Sequence, residues 1–242
     1  MRMIASYSLA AGISIALVSP LAHAYGNDDY PSGRCLLPQG TVSLVENQLA
    51  RVVNLRDGNG GIFSPNRMWA AVVDREGHLC SVIKTGDAWP GSRAIAIAKA
   101  YTANGFSNDA LALSTANLYA ATQPGGSLYG LNNSNPFDAR FLEQGSGIGR
   151  TLGGVITFGG GVALYAGGKV IGGLGVSGDS ACADHAIAYR MRKLAGLGSV
   201  PRGQGPNNTD NIIYSTGASP MGFEHPHCFP TDLSPAAIES AP

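Results

Sequence analysis

Hydrophobic and polar positions change period several times along this chain, and each change marks an element. Over residues 41–56, Val45, Leu49, Val52 and Val53 recur at helical spacing, with Thr41 or Ser43 placed to cap, which predicts an amphipathic helix. Asp57-Gly58-Asn59-Gly60-Gly61 ends it. Residues 68–73 and 79–83 are short β-rich runs joined by the polar turn Asp74-Arg75-Glu76-Gly77-His78, a hairpin pattern. After Trp89-Pro90-Gly91, Ser92 caps a helix that runs to about Asn104, with Ala94, Ile95, Ala98 and Thr102 turned toward a sheet and Gly105 as its stop. A shorter helix is expected over 114–121, followed by a loop-like stretch from 123 to 151. Three β-rich runs, 154–158, 162–165 and 169–176, alternate with glycine turns, and a last helix covers 180–194. The order predicts an α/β (α+β) fold: a five-stranded, mainly antiparallel sheet with helices packed on it.

The amino terminus breaks this rhythm. Arg2 is the only charge before a cleavage-like Ala22-His23-Ala24, and the stretch between is largely apolar, so residues 1–24 read as a signal peptide. The expected organisation is then a polar arm over 25–40, one domain over 41–195 with an insertion at about 108–150, and a Pro-, Gly- and Asn-rich tail over 196–242. No later segment approaches the roughly 20 apolar residues of a spanning helix, so a periplasmic or secreted protein without a membrane span is expected. Sixteen basic and 16 acidic side chains cancel, which gives no electrostatic reason to bind nucleic acid. Charged residues make up 13% of the chain and Gly numbers 34, a balance that favours close backbone approaches and subunit faces, hence a homo-oligomer.

Four cysteines in an exported chain read first as disulfides. Three pairings are open; Cys35 with Cys80 and Cys182 with Cys228 is the pairing expected, because each ties a terminal segment to the body. Cys182, His185, His225, His227 and Cys228 also permit a Cys2His2 zinc site, but an oxidising compartment favours the disulfide, and no metal is assigned. Gly173-Leu174-Gly175-Val176-Ser177-Gly178 matches G-x-G-x-x-G after a strand and before a helix. It lacks the acidic residue about 20 positions on that a dinucleotide site requires, so a strand-to-helix turn of small residues is the better account. Its helix start offers N–H groups to an anion. Cys-x-x-Cys-His is absent, so any haem is non-covalent.

Ala70-Ala71-Val72-Val73-Asp74 with Gly77-His78-Leu79, Pro90-Gly91-Ser92 with Ala98-Lys99-Ala100-Tyr101-Thr102-Ala103, Gly153-Gly154-Val155, and Val170 through Gly178 with Asp184 occur in one order. In that order they resemble the GlcG/HbpS family of haem-degrading or haem-binding domains, similar also to the C-terminal domain of some cobalamin adenosyltransferases. The resemblance covers about residues 41–195. It implies a profilin-like α/β sandwich, oligomeric assembly and a haem or corrinoid ligand. Candidate haem contacts are His78, Lys99, Thr102 and His185, with an imidazole as axial ligand and Lys99 or the Ser177-Gly178 turn near the propionates. Whether the protein is catalytic stays open, with weak haem degradation or iron release as the activity in view. A second function class is a non-catalytic sensor or accessory subunit that takes a small organic ligand or a partner protein through Tyr119, Tyr129, Phe137 and Phe141 in or beside the insertion.

Overall fold

The computed structural model describes residues 34–216 and 222–240. The expected signal peptide and most of the arm lie outside these residues. Helix α1 (Gln39–Val52) buries Val45, Leu49 and Val52 of the expected stripe together with Val42, and it starts on Pro38 with no side-chain cap, so Thr41 and Ser43 lie inside it. Strands β1 (Trp69–Asp74) and β2 (Leu79–Lys84) form the hairpin. Helix α2 (Ser92–Gly105) follows; its cap position is Gly91, not Ser92. Ser114 and Asn117 close a reciprocal capping box on a 3-10 turn that runs into α3 (Tyr119–Thr122). Strands β3 (Gly161–Ala166) and β4 (Lys169–Ser177), helix α4 (Ala181–Leu194) with Ser180 as its cap, and the short α5 (Pro235–Ser240) complete the regular elements among the described residues.

The sheet has four strands, not the five expected, in the order β2-β1-β4-β3, every pair antiparallel. The missing strand is 154–158. Gly153 and Gly154 take φ of +71° and +84°, which turns the chain away from a ladder. Ile156 then donates its N–H to Thr102 Oγ1 at 3.0 Å, so this apolar run packs along α2 instead.

Alternation along β1 and β4 sorts the core into two layers. Ala70, Val72, Leu174 and Val176 face α1 and α4, with Val45, Leu49, Ala186 and Ile187. Ala71 and Val73 face α2, with Ala96, Ile97 and Ala100. The sheet-facing side of α2 is therefore Ala96 and Ala100, whereas Ala94, Ile95 and Ala98 point away. The glycines of β4 cause this rotation. A Cβ on Gly173 would lie 2.2 Å from the Ala100 carbonyl oxygen, and one on Gly175 would lie 2.0 Å from that of Ala96. Only bare backbone lets α2 lie this close, so G-x-G-x-x-G here is a packing device, with Gly178 pressed on the Arg67 carbonyl in the same way.

Candidate functional site

The outward side of α2 is the floor of a groove. One compartment of about 210 Å³ is lined by Ala94, Ile95 and Ala98 of the helix, Gly154, Val155 and Ile156 on one wall, and Asn132, Asn135, Pro136 and Phe137 on the other. The second, about 530 Å³, continues past the shared residues Asn135 and Val155 to Tyr101, Asn104, Gly105 and Phe106 and is closed by Arg75, Glu76, Leu131 and Ser134. The first is largely apolar and the second carries the charges, a division that suits an amphipathic small molecule. Gly154 allows the close wall, since a Cβ there would lie 2.8 Å from that of Ala98.

The far wall belongs to the insertion, and a buried cation fixes it. Arg93, 1% exposed on α2, donates to the carbonyls of Phe141 at 2.8 Å and Ser146 at 2.6 Å. Loss of hydration lowers its pKa from the ordinary guanidinium value. Thr157 adds a hydrogen bond to Asn132 Oδ1 at 2.9 Å, and Asp138 N–H one to the Leu152 carbonyl at 2.9 Å. At the charged end, Arg75 Nη1 donates to the carbonyl and side-chain oxygens of Asn104 at 2.6 and 3.0 Å, while Asn104 Nδ2 returns a bond to the Arg75 carbonyl.

None of the residues nominated as haem contacts lines either compartment, whereas Phe137, nominated for a small organic ligand, lines the first. Lys99 is fully buried on the inner side of α2, where Nζ donates to Asp184 Oδ2 at 2.6 Å and to the Val176 carbonyl at 3.1 Å and lies 4.7 Å from the centre of the Phe158 ring. Burial lowers the Lys99 pKa and pushes Asp184 up to about 6, in each case against the attraction of the partner. His185 is buried at 0% exposure, its Nε2 beside Asn211 Oδ1 at 3.2 Å and the Ile212 N–H at 3.1 Å, and burial pushes its pKa down to about 4. Thr102 is the nominee that touches the groove wall, through Ile156, and its hydroxyl donates to the Ala98 carbonyl at 2.7 Å. Ser177 ends the ladder opposite Trp69, and Gly178 abuts Arg67.

His78 closes the β1–β2 turn, with Nδ1 3.2 Å from Asp74 Oδ2. The structure thus joins Lys99 to Asp184, while the ring nitrogens of His78 and His185 meet other partners, Asp74 in the first case and Asn211 and Ile212 in the second. The helix start beyond Gly178 is filled internally: Ser180 Oγ accepts from the Ala183 N–H and Cys228 Sγ from that of Cys182. Both disulfides have the expected partners, Cys35–Cys80 and Cys182–Cys228, and no described cysteine is free.

Tyr101, Arg75 and Arg93 were not singled out as site residues. Tyr101 had a signal: Ala94, Ala98, Tyr101 and Gly105 repeat at steps of four, three and four, a second helical stripe opposite Ala96 and Ala100. Residues 64–192, which include every residue of both compartments, match the model of the family described as haem degrading protein HbpS-like. The chain belongs to that family. A corrinoid adenosyltransferase, PduO, from Citrobacter freundii is 36% identical over 118 residues, 49% of this chain but only 29% of that protein. An uncharacterized 15.0 kDa protein of the dhaT-dhaS intergenic region in the same organism is 35% identical over 118 residues, 49% of this chain and 68% of its own length. Among solved structures, a PduOC:haem complex superposes with a TM-score of 0.52 at 27% identity, covering 68% of this chain and 98% of the other.

Proposed function

We propose that this chain is an exported haem-binding protein that holds the macrocycle along the outer face of α2. The observation that carries the proposal is the position of the groove inside the family segment, together with the likeness to a domain solved as a haem complex. Export is supported by two disulfides in the folded domain, a usage typical of oxidising compartments.

The lining fits an amphipathic macrocycle. Ile95, Phe137, Val155 and Ile156 offer apolar surface, and Arg75 at the charged end supplies a fork suited to a carboxylate. No described lining residue is His, Cys or Met, so the donors offered to iron are oxygens, from Tyr101 and Glu76. Phenolate ligation is an established mode for haem iron. Bound haem would supply a redox-active iron; the protein's own side chains bind, orient and shield it.

Titration of haem into the purified protein should shift the Soret band with saturation at one site per chain. Tyr101→Phe should alter the spectrum, and Val155→Asp should weaken binding at least tenfold. A titration curve indistinguishable from that of free haem rejects the proposal. Adding ascorbate and dioxygen to the complex tests degradation, read as loss of the Soret band faster than for haem on an unrelated carrier protein.

A further inference from the structure

The Cys35–Cys80 disulfide has two further metal-ligand side chains beside it. The carboxylate of Asp74 and the two sulfurs have ligand atoms all within 4.8 Å of one another, and Asp74 is only 1% exposed. His78 Nδ1 adds a nitrogen 3.2 Å from Asp74 Oδ2. The turn that presents them is stiff: Asp74 N–H donates to the His78 carbonyl at 3.0 Å, Gly77 N–H to the Asp74 carbonyl at 3.0 Å, and His78 N–H to Asp74 Oδ1 at 2.9 Å. Asp74 Oδ2 also accepts the Leu36 N–H at 2.8 Å, which binds the Cys35 segment to the hairpin independently of the disulfide.

We infer that reduction of this disulfide turns the hairpin into a zinc site, with Cys35, Cys80, Asp74 and His78 as ligands. Tetrahedral zinc has bonds of about 2.3 Å to sulfur and about 2.0–2.2 Å to nitrogen or oxygen. Its nitrogen and oxygen ligands therefore lie about 3.3–3.4 Å apart, close to the Asp74–His78 separation already present, and its two sulfurs about 3.8 Å apart. The bonded sulfurs must separate, and His78 must close on them, since it lies outside the group of ligand atoms within 4.8 Å of one another. Both cysteines and His78 are partly exposed, so a reductant and an ion have access.

Zinc enters in two steps. A thiol or phosphine reductant delivers two electrons, the sulfur–sulfur bond breaks, and each sulfur takes up a proton. Zinc then displaces both thiol protons to solvent, His78 carries its ring proton on Nε2, and Asp74 keeps its charge. The other disulfide differs in its histidine. His225 lies near Cys182 and Cys228, but its Nδ1 is 2.7 Å from the Pro226 carbonyl and its Nε2 accepts the Gly159 N–H at 3.3 Å, so both ring nitrogens are engaged.

The four ligands line neither groove compartment, so the inference stands independently of haem binding. Cobalt(II), a spectroscopic stand-in for zinc, is titrated into protein reduced with a phosphine and into oxidised protein. The reduced protein should show thiolate-to-cobalt absorption at one equivalent, and the oxidised protein none. Cys35→Ser/Cys80→Ser should abolish the band, Cys182→Ser/Cys228→Ser should retain it, and Asp74→Asn or His78→Ala should each weaken cobalt affinity at least tenfold. The point variants keep the test decisive where a double variant fails to fold. Reduced protein that stays folded by far-UV circular dichroism yet shows no band overturns the inference, as do loss of the fold on reduction and affinity unchanged in both point variants.

Discussion

Replacing Lys99 with Met removes the cation from a pair that water does not reach. Nζ lies 2.6 Å from Asp184 Oδ2, with side-chain exposures of 0% and 2%. Breaking a buried pair from one side costs about 3–5 kcal/mol, because the remaining charge is left desolvated and unpaired. Asp184 Oδ1 keeps the Asp179 N–H at 3.0 Å, which places the expected loss at the lower end, about 3 kcal/mol. That is a large share of the 5–15 kcal/mol typical of a domain. The sign with pH follows from Asp184, whose pKa burial raises from 3.8 to about 6. A carboxyl that holds its proton more tightly folded than unfolded weakens the fold as it ionises, so its penalty is absent below 3.8 and grows as pH rises through about 6. Without Lys99 the pKa rises further, so the deficit of Lys99→Met should be largest at pH 8 and shrink at pH 5. Lys99→Met/Asp184→Asn keeps an acceptor for the Asp179 N–H and should recover to within about 1 kcal/mol of the parent. Urea unfolding at both pH values, with disulfides intact, measures all three proteins. A loss below about 1 kcal/mol, or an equal loss at both pH values, would refute the picture of a dry, mutually dependent pair.

Other substitutions probe the rest of the frame. Gly175→Ala puts a methyl 2.0 Å from the Ala96 carbonyl oxygen and should cost at least about 3 kcal/mol in urea unfolding, or prevent folding. Asp210→Ala leaves Arg192, 2% exposed and held at 2.7 and 2.6 Å, without its carboxylate and should cost about 3–5 kcal/mol in the same assay. Cys182→Ser/Cys228→Ser opens a loop of sequence separation 46, worth about 4 kcal/mol of chain entropy, read as a lower unfolding midpoint. His185, with its pKa lowered from 6.5 to about 4, should remain neutral to near pH 5 in an NMR titration; the fold loses stability as pH falls through that interval because the unfolded chain takes up the proton first.

The framework was legible where one period dominates. The α1 stripe, the hairpin, and the helix after Ser180 follow from local spacing, and the pairings Cys35–Cys80 and Cys182–Cys228 from the wish to tie both ends down. Residues 154–158 misled because β-rich composition says nothing about a free sheet edge, and two positive-φ glycines send that run to Thr102 instead. Lys99 was nominated as a haem contact from the family resemblance. Its partner Asp184 lies 85 residues away, and nothing local announces that the glycines between the two layers leave a passage for the side chain. The groove was hidden for a similar reason. Its far wall is an Asn- and Pro-rich insertion with no period of its own, held by an arginine whose acceptors are backbone carbonyls 48 and 53 positions away.

The same glycines connect the core to the groove. Because Gly173 and Gly175 seat the Ala100 and Ala96 turns of α2 directly on β4, the helix has no freedom to roll, and its opposite stripe is fixed in depth and direction. Lys99 on the inner side locks that seat by reaching past the sheet to α4, where a Cβ on Gly160 would lie 2.6 Å from its Nζ. Arg93 and Thr102 then clamp the insertion and the 154–156 wall onto a floor that is already set. A disturbance at Lys99, which no ligand in the groove touches, should therefore change haem affinity through the position of Ala98 and Tyr101. Substitution of Tyr101 or Val155 should change affinity with little effect on stability. Measuring both quantities on the same variants separates the residues that hold the helix from those that meet the ligand.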